Sequence, residues 1–385
     1  MGRIVFAGNT AWGMYNFRGK LMKRLLTLGH EVIVIVPYDE YIHESYRVEA
    51  FQFLKKPVEE ELFNLELKRA ITKYKRLNPW FDLRLLIQYY KFLAKLRPDI
   101  CFFYTIKPNI YASIAASLLK IPHIAITTGL GYAFLSKNMI SKIVKVLYKI
   151  AFMKTNEVWF LNKDDMDIFR KAGIVSESKI GLLPGEGLDM DRYSNKELCP
   201  LPVDISFLLI SRMLYDKGVE VFVRAAETLK RKYPNVTFKL LGMRGVKNPS
   251  AIPDEIMDQW IEEKNVVYLG ETRDVIPFIN DCTCVVLPSY YREGIPFVLL
   301  EGASLKRPII TTNGVGCKEV INDGYNGFIC EQKDVDSLAL AMDKIINAPI
   351  EELNMMGENG RDLVQRKYSL DIVFKQYIET ISRYL

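Results

Sequence analysis

Short apolar runs rich in β-branched and aromatic residues alternate with helical periodicity along the whole chain, and the alternation stops and restarts once. Residues 3–7, 31–36, 99–104, 123–127 and 157–161 read as buried strands. Helices are expected over 17–28, 109–120, 138–154 and 164–171. The pattern breaks at Cys199-Pro200-Leu201-Pro202. A second series then offers strands at 205–210, 236–241, 266–269, 283–287 and 308–312, with helices at 219–232, 275–280, 296–305, 335–346 and 350–367. Repeated βα units of this spacing dictate an α/β fold with doubly wound parallel sheets. A chain of 385 residues is too long for one ordinary core. Two domains are therefore expected, 1–199 and 204–368. A closing helix over 369–385, capped by Ser369 with Phe374, Ile378, Ile381 and Leu385 on one face, is expected to pack back toward the N-terminal domain.

Composition narrows the function classes. Arg3 is followed by a strand pattern, so no leader is expected. No apolar run reaches the ~18 residues of a membrane span. The six cysteines form no C-x-x-C pair and the chain has three histidines, which suits structural thiols in a reducing cytoplasm and disfavours zinc. Charge is uneven: residues 1–200 hold 30 Lys and Arg against 20 Asp and Glu, whereas the remainder holds 22 against 26. Residues 66–154 alone carry 16 basic and 3 acidic side chains, which asks for an anionic partner: nucleic acid, a membrane surface or a diphosphate substrate. Lys137, Lys142, Lys145, Lys149 and Lys154 share a helix with Ile140, Ile143, Val144, Leu147, Ile150 and Phe152, and 68–76 and 80–97 add basic and aromatic residues. Such a helix fits interfacial membrane binding. A core-packed helix with a solvated basic face is the alternative. Nucleic acid is disfavoured, because the basic run lacks any recognised binding module.

Two carboxylates stand out in the second half. Glu293 follows the apolar strand 284–288, and Glu301 lies eight positions later in a helix opening near Pro296, a residue suited to a first helical turn. A strand-to-helix crossing lies at the carboxyl edge of a parallel sheet, where open α/β folds bind ligands. Eight residues is just over two helical turns, so the pair suits an elongated polar ligand. A capped helix with one solvated Glu is the plain alternative.

Other loops on the same edges suggest phosphate. The first strand runs into Gly8-Asn9-Thr10-Ala11-Trp12-Gly13, a glycine-bearing approach to a helix N-terminus without the G-x-G-x-x-G spacing, equally consistent with a tight turn. Strand 205–210 leads into Ser211-Arg212-Met213-Leu214-Tyr215-Asp216-Lys217-Gly218. Arg212 offers a planar fork to phosphate oxygens and Lys217 a mobile point charge. Contacts of about 1.5–3 kcal/mol each would speed departure of a diphosphate by roughly 10²–10⁴ if they strengthen at the transition state. Two merely exposed basic side chains remain the alternative. Gly242-Met243-Arg244-Gly245 and Tyr268-Leu269-Gly270-Glu271 follow on later strands. Three Asp-x-Asp triplets invite a metal reading. However, Asp165/Asp167 and Asp334/Asp336 fall at helix N-termini, where acids suit the dipole, and Asp189/Asp191 lies in a loop. No metal is expected, because Arg212 and Lys217 already supply the positive charge. His123 is read as structural.

Ser211-Arg212 with Lys217-Gly218, Pro288-Ser289 with Glu293-Gly294 and Glu301, and Gly187-Leu188-Asp189 together resemble glycosyltransferase family 4 over nearly the whole chain. The resemblance implies the retaining GT-B fold, two Rossmann-like domains facing across a cleft that holds the active site. It implies that Arg212 and Lys217 bind the nucleotide diphosphate and that Glu301 holds the ribose hydroxyls. Glu293 and the backbone of Gly294, Ile295, Pro296 and Phe297 would meet the donor sugar. Gly13 would lie against the diphosphate, and Arg244 joins the nucleotide-sugar contacts. No cofactor or metal is implied. Many members carry His-Gly where this chain has Thr128-Gly129, so that histidine's role would pass elsewhere.

Tyr15-Asn16-Phe17-Arg18, Gly129-Leu130-Gly131 and Trp159-Phe160-Leu161-Asn162 are similar to bacterial N-acetylgalactosaminyl- and galactosyltransferases that extend sugars on undecaprenyl diphosphate. That likeness implies transfer of a hexose or N-acetylhexosamine from a nucleotide sugar, UDP-linked by preference, to a polyprenyl-diphosphate-linked sugar in cell-surface polysaccharide such as O-antigen. The enzyme would be cytoplasmic and peripheral on the inner face of the plasma membrane. A sugar-nucleotide epimerase of the same fold, or a non-catalytic membrane-associated scaffold, would keep many of the same residues.

Overall fold

The computed structural model describes residues 1–36, 79–130, 134, 139–194 and 197–385. The basic stretch 68–76, Lys137 and Gly131 lie outside these. The chain forms two compact units, one of Met1–Glu186 with Val373–Leu385 and one of Gly187–Ile372.

The first unit carries a six-stranded parallel sheet: β1 (Arg3–Ala7), β2 (Glu31–Ile35), β3 (Ile100–Tyr104), β4 (His123–Thr127), β5 (Glu157–Phe160) and β6 (Ile180–Leu182), in the order β2-β1-β3-β4-β5-β6. β1, β3 and β4 are almost wholly buried, as their unbroken apolar runs require for a sheet covered on both faces. The last helix, Leu370–Tyr384, covers one face of this sheet: Tyr377 stacks with Phe6, packs tilted against Phe102 and edge-on against Trp159, and its hydroxyl shares a 2.6 Å hydrogen bond with that of Tyr104.

The second unit repeats the plan with β7 (Ser206–Ile210), β8 (Thr237–Leu241), β9 (Val267–Tyr268), β10 (Cys284–Leu287), β11 (Ile309–Thr312) and β12 (Gly327–Cys330), ordered β12-β11-β10-β7-β8-β9 and parallel throughout. The direction in which strands are added reverses at β7: β8 and β9 follow on one side, β10 to β12 on the other. Ligand crevices of open α/β sheets form at such a switch point. The Pro-rich stretch at 199–202 lies in this unit, where the buried Arg307 guanidinium donates to the carbonyls of Cys199 (3.0 Å) and Pro200 (3.3 Å).

Several elements differ from expectation. The first helix begins at Ala11, not 17, because Thr10 is extended and its side chain accepts from the Gly13 N–H. Gly13 therefore sits in a first helical turn rather than a free loop. The stretch expected as one helix over 109–120 opens as a π-turn, Pro108–Ala112, before Ser113–Leu119. The one expected over 350–367 ends at Leu363 and continues as a π segment, Val364–Tyr368. Strands β6 and β12 and the helices Pro79–Leu96 and Asp254–Glu262 were unmarked by the pattern.

Candidate functional site

β7 and β10 are the strands flanking the switch point of the second unit, and the loops leaving their carboxyl ends are sewn together by one backbone oxygen. The Asp216 carbonyl accepts from the Tyr290 N–H (3.0 Å) and the Tyr291 N–H (3.0 Å) and lies 3.2 Å from Ser289 Oγ. Ser289 Oγ in turn accepts from the Tyr291 N–H at 3.2 Å and lies 2.9 Å from Glu293 Oε1. Lys217 Nζ makes an ion pair with that same carboxylate oxygen, with the two side chains 17% and 12% exposed, and it stands 5.3 Å from the centre of the Tyr291 ring. The loop carrying the cation and the loop carrying the first glutamate thus form one charged cluster.

Two glycines permit that closeness. Gly218 has φ +77°, and a Cβ there would lie 2.1 Å from the Pro288 carbonyl oxygen. Gly316 has φ +81°, and its Cβ would fall 2.3 Å from the Gly294 oxygen. The Glu293 N–H donates to Val315 O at 3.1 Å, so the loop after β11 forms the floor of this segment.

Asp216 lies deeper. Its N–H donates to Ser250 Oγ at 3.0 Å, while its Oδ1 is buried without a hydrogen bond. Burial raises its carboxyl pKa most. The Glu293 charge raises it further, and Lys217 and Arg212 pull it back down. Arg212 itself is exposed at the mouth of β7.

Glu301 stands on the helix Phe297–Ser304, which opens after Pro296. It is partly buried, and the Tyr193 hydroxyl donates to its Oε1 at 2.6 Å. Burial raises the pKa of Glu301, opposed by the Tyr193 hydrogen bond and the Arg192 charge. Tyr193 is held by its own carbonyl, which accepts from Arg361 Nη1 at 2.8 Å. Gly294, Ile295, Pro296 and Phe297 bridge the two glutamates.

Arg244 is differently occupied. Its Nη1 pairs with Asp258 Oδ1 at 2.7 Å and its Nε lies 3.4 Å from Asp254 Oδ1, both carboxylates belonging to the helix Asp254–Glu262. The guanidinium also stands 5.7 Å from the Tyr268 ring centre.

In the first unit, Gly13 spends its N–H on Thr10 Oγ1 (3.0 Å), while its carbonyl accepts from Arg18 Nη1 at 3.2 Å. Arg18 is buried, paired with Glu186 and laid over the Tyr104 ring at 3.9 Å. Thr128 is partly buried at the end of β4. His123 is packed in the core, with Nδ1 2.9 Å from Ile121 O and Nε2 3.1 Å from Thr155 Oγ1, and burial lowers its pKa to about 4.

Asn162 caps the helix holding Asp165, Asp334 caps the helix holding Asp336, and the Asp191 N–H donates to Asp189 Oδ1. Among the described residues no three His, Cys, Asp or Glu side chains gather in a group able to hold a metal ion.

Sequence reasoning located Arg212, Lys217, Glu293 and Glu301 on one sheet edge but missed Tyr193 and the Asp216 carbonyl. Tyr193 lies 108 positions from Glu301 and no local pattern marks it. A backbone carbonyl leaves no trace in residue type.

Residues 202–363 match the model of the glycosyl transferases group 1 family, and residues 3–162 match that of the glycosyl transferase 4-like family. The chain is 28% identical to the N,N'-diacetylbacillosaminyl-diphospho-undecaprenol alpha-1,3-N-acetylgalactosaminyltransferase of Campylobacter jejuni, over 99% of this chain and 98% of that one. It is 26% identical to the UDP-Gal:alpha-D-GlcNAc-diphosphoundecaprenol alpha-1,3-galactosyltransferase of Escherichia coli, over 75% of this chain and 76% of that one. Its backbone superposes on Anabaena HepE, crystallised with UDP-glucose, with a TM-score of 0.75 at 16% identity and full coverage of both chains. With both halves matched and each unit built on a six-stranded parallel sheet, the chain belongs to the group 1 and 4-like glycosyltransferases and has the GT-B fold.

Proposed function

We propose that this glycosyltransferase moves a hexose or N-acetylhexosamine from a UDP-sugar to a sugar carried on a polyprenyl diphosphate, with retention at the anomeric carbon. The observation that carries the reading is the Lys217–Glu293 pair beside Arg212 at the switch point of a nucleotide-binding type of sheet. The two relatives named above, which act on undecaprenyl-diphosphate-linked sugars, support the acceptor class. They also favour transfer over epimerisation or a scaffold role. A lipid-linked acceptor places the enzyme at a bilayer surface, on the cytoplasmic side where nucleotide sugars are made. The association proposed is peripheral; no helix among the described residues is long and apolar enough to cross the membrane.

Arg212 and Lys217 bind the diphosphate and stabilise the charge that grows on it as the C1–oxygen bond breaks. Glu301 accepts from the ribose hydroxyls with the oxygen that Tyr193 leaves open. Glu293 and the Gly294–Phe297 segment (residues 294–297) contact the donor sugar. The acceptor hydroxyl attacks C1 from the face the phosphate leaves, and its proton passes to the departing phosphate oxygen. Arg212 and Lys217 supply positive charge in the role that Mg²⁺ plays elsewhere. Arg244 acts at the periphery of the nucleotide site, restrained by Asp254 and Asp258.

The test is a donor panel of UDP-, GDP- and dTDP-sugars with a short polyprenyl-diphosphate sugar acceptor, read by product mass. A UDP-sugar should give an acceptor heavier by one sugar, and Arg212→Ala and Glu293→Ala should abolish it. Donor turnover without acceptor would instead identify an epimerase, and a trapped glycosyl-enzyme would overturn the same-face mechanism.

A further inference from the structure

Apolar side chains exposed by the described residues are concentrated in one layer of the first unit. Of 24 large ones, 12 lie on the helices Pro79–Leu96, Ser113–Leu119 and Met139–Phe152 or one residue beyond, about a tenth of the chain. The outer two helices both pack against the segment 108–119 between them, so the three form one layer on one face of the sheet.

The Met139–Phe152 helix has three stripes rather than two. Val144, Tyr148, Ala151 and Phe152 are buried in the core. Ile140, Ile143, Val146 and Ile150 recur every three or four residues and are 44–57% exposed. Lys142, Lys145 and Lys149 form a third stripe, about 100° around the helix from the isoleucines. A solvated basic face would not carry isoleucines, and a fully core-packed helix would not expose them. The neighbouring helix repeats the pattern: Leu83, Ile87 and Tyr90 are 42–50% exposed and interleaved with Arg84, Lys91 and Lys95. Leu118, between the two, is 65% exposed. Acid is scarce here. The one acidic residue on the three helices, Asp82, is buried and paired with Lys107 at 3.0 Å.

We infer that this three-helix layer is a membrane-docking face, which inserts Ile140, Ile143, Val146 and Ile150 below the headgroups of an anionic bilayer while the lysine stripe lies among the phosphates. The occupant is a lipid surface because charge and apolarity alternate within single helices: a protein partner's core disfavours lysine, whereas the headgroup boundary accepts both. Insertion, not charge alone, holds the protein there. The proposal deepens the bilayer part of the proposed function and does not depend on which sugar is moved.

The experiment is sedimentation with acceptor-free vesicles of phosphatidylcholine alone or mixed with phosphatidylglycerol. Three proteins are compared: wild type, Ile143→Glu/Ile150→Glu, and Lys142→Gln/Lys145→Gln/Lys149→Gln. Wild type should bind the anionic vesicles and keep a measurable fraction bound when salt rises from about 0.1 to about 1 M, where screening shortens to ~3 Å. The glutamate pair should lower partitioning by about tenfold or more at both salts. The glutamine triple should lower it by roughly a hundredfold at low salt and have little effect at high salt. Both variants should keep the wild-type melting temperature and wild-type transfer to a short, water-soluble acceptor. Complete release of wild type at high salt, or binding by the glutamate pair equal to wild type, overturns insertion. Vesicle-independent self-association that the glutamate pair abolishes would assign the face to a second copy instead. Absence of transfer to the short acceptor would refute the proposed function while leaving the docking result standing.

Discussion

Glu293→Gln should separate nucleotide binding from sugar transfer. In the free enzyme Lys217 is already neutralised by Glu293, at 17% and 12% side-chain exposure. An exposed pair is worth about 0–1 kcal/mol, and losing one partner of a fully buried pair costs about 3–5 kcal/mol. The amide can still accept from Ser289, so the substitution should cost about 2 kcal/mol. For a unit of this size that is a fall of roughly 4–8 °C in melting temperature. UDP should reverse the loss, because the diphosphate replaces the missing counter-charge. UDP affinity in Glu293→Gln should therefore match or exceed wild type by calorimetry, while kcat for transfer falls by roughly 10²–10⁴. Lys217→Met should behave oppositely at the first step: losing one charge-assisted contact of about 1.5–3 kcal/mol weakens UDP by about 10- to 150-fold. If Glu293→Gln weakened UDP as much as Lys217→Met does, Glu293 would belong to the nucleotide subsite and the division of labour would be wrong.

Gly218→Ala should be among the most damaging small changes in the second unit. It forces a side chain onto the Pro288 carbonyl at a left-handed φ, and melting should report a loss of about 2 kcal/mol or more along with weaker UDP binding. Tyr193→Phe removes the donor that orients Glu301. It should raise the donor KM about tenfold with kcat little changed, and it should shrink the preference for UDP over 2′-deoxy-UDP, an effect that general loosening would not produce. His123, whose pKa drops from 6.5 to about 4 on folding, is buried neutral. Its contribution is complete above pH 6.5 and is lost as pH falls toward 4, at most about 3 kcal/mol. Unfolding titrations of His123→Asn should show a flatter acid limb between those values.

Ten of the twelve strands are legible because burial demands unbroken apolar runs, and those runs need no knowledge of the partner strand; β6 and β12 are only partly buried and carry no such signal. Glu293 and Glu301 were legible together because one loop and one helix turn fix their spacing. What escaped depends on pairing at a distance. That β10 sits beside β7, which makes the Lys217 and Glu293 loops neighbours, is a property of strand order and not of either segment. The first helix starts six residues before the pattern predicts, because Trp12 and Gly13 read as loop whereas the extended Thr10 already supplies the cap.

Arg244 shows why a basic residue in a glycine loop is ambiguous. Its fork meets Asp254 and Asp258, four residues apart on a helix that the hydrophobic pattern did not reveal, and so lies at an exposed rim. Lys217 is equally paired, yet its partner is a carboxylate at the switch point that is itself expected to meet substrate. A cation engaged by a site carboxylate is held ready for exchange, because bound diphosphate can take over its charge while the carboxylate turns to the sugar. A cation engaged by two helix carboxylates away from the strand ends has no such exchange available. The difference lies in where the counter-charge sits, and only the fold places it.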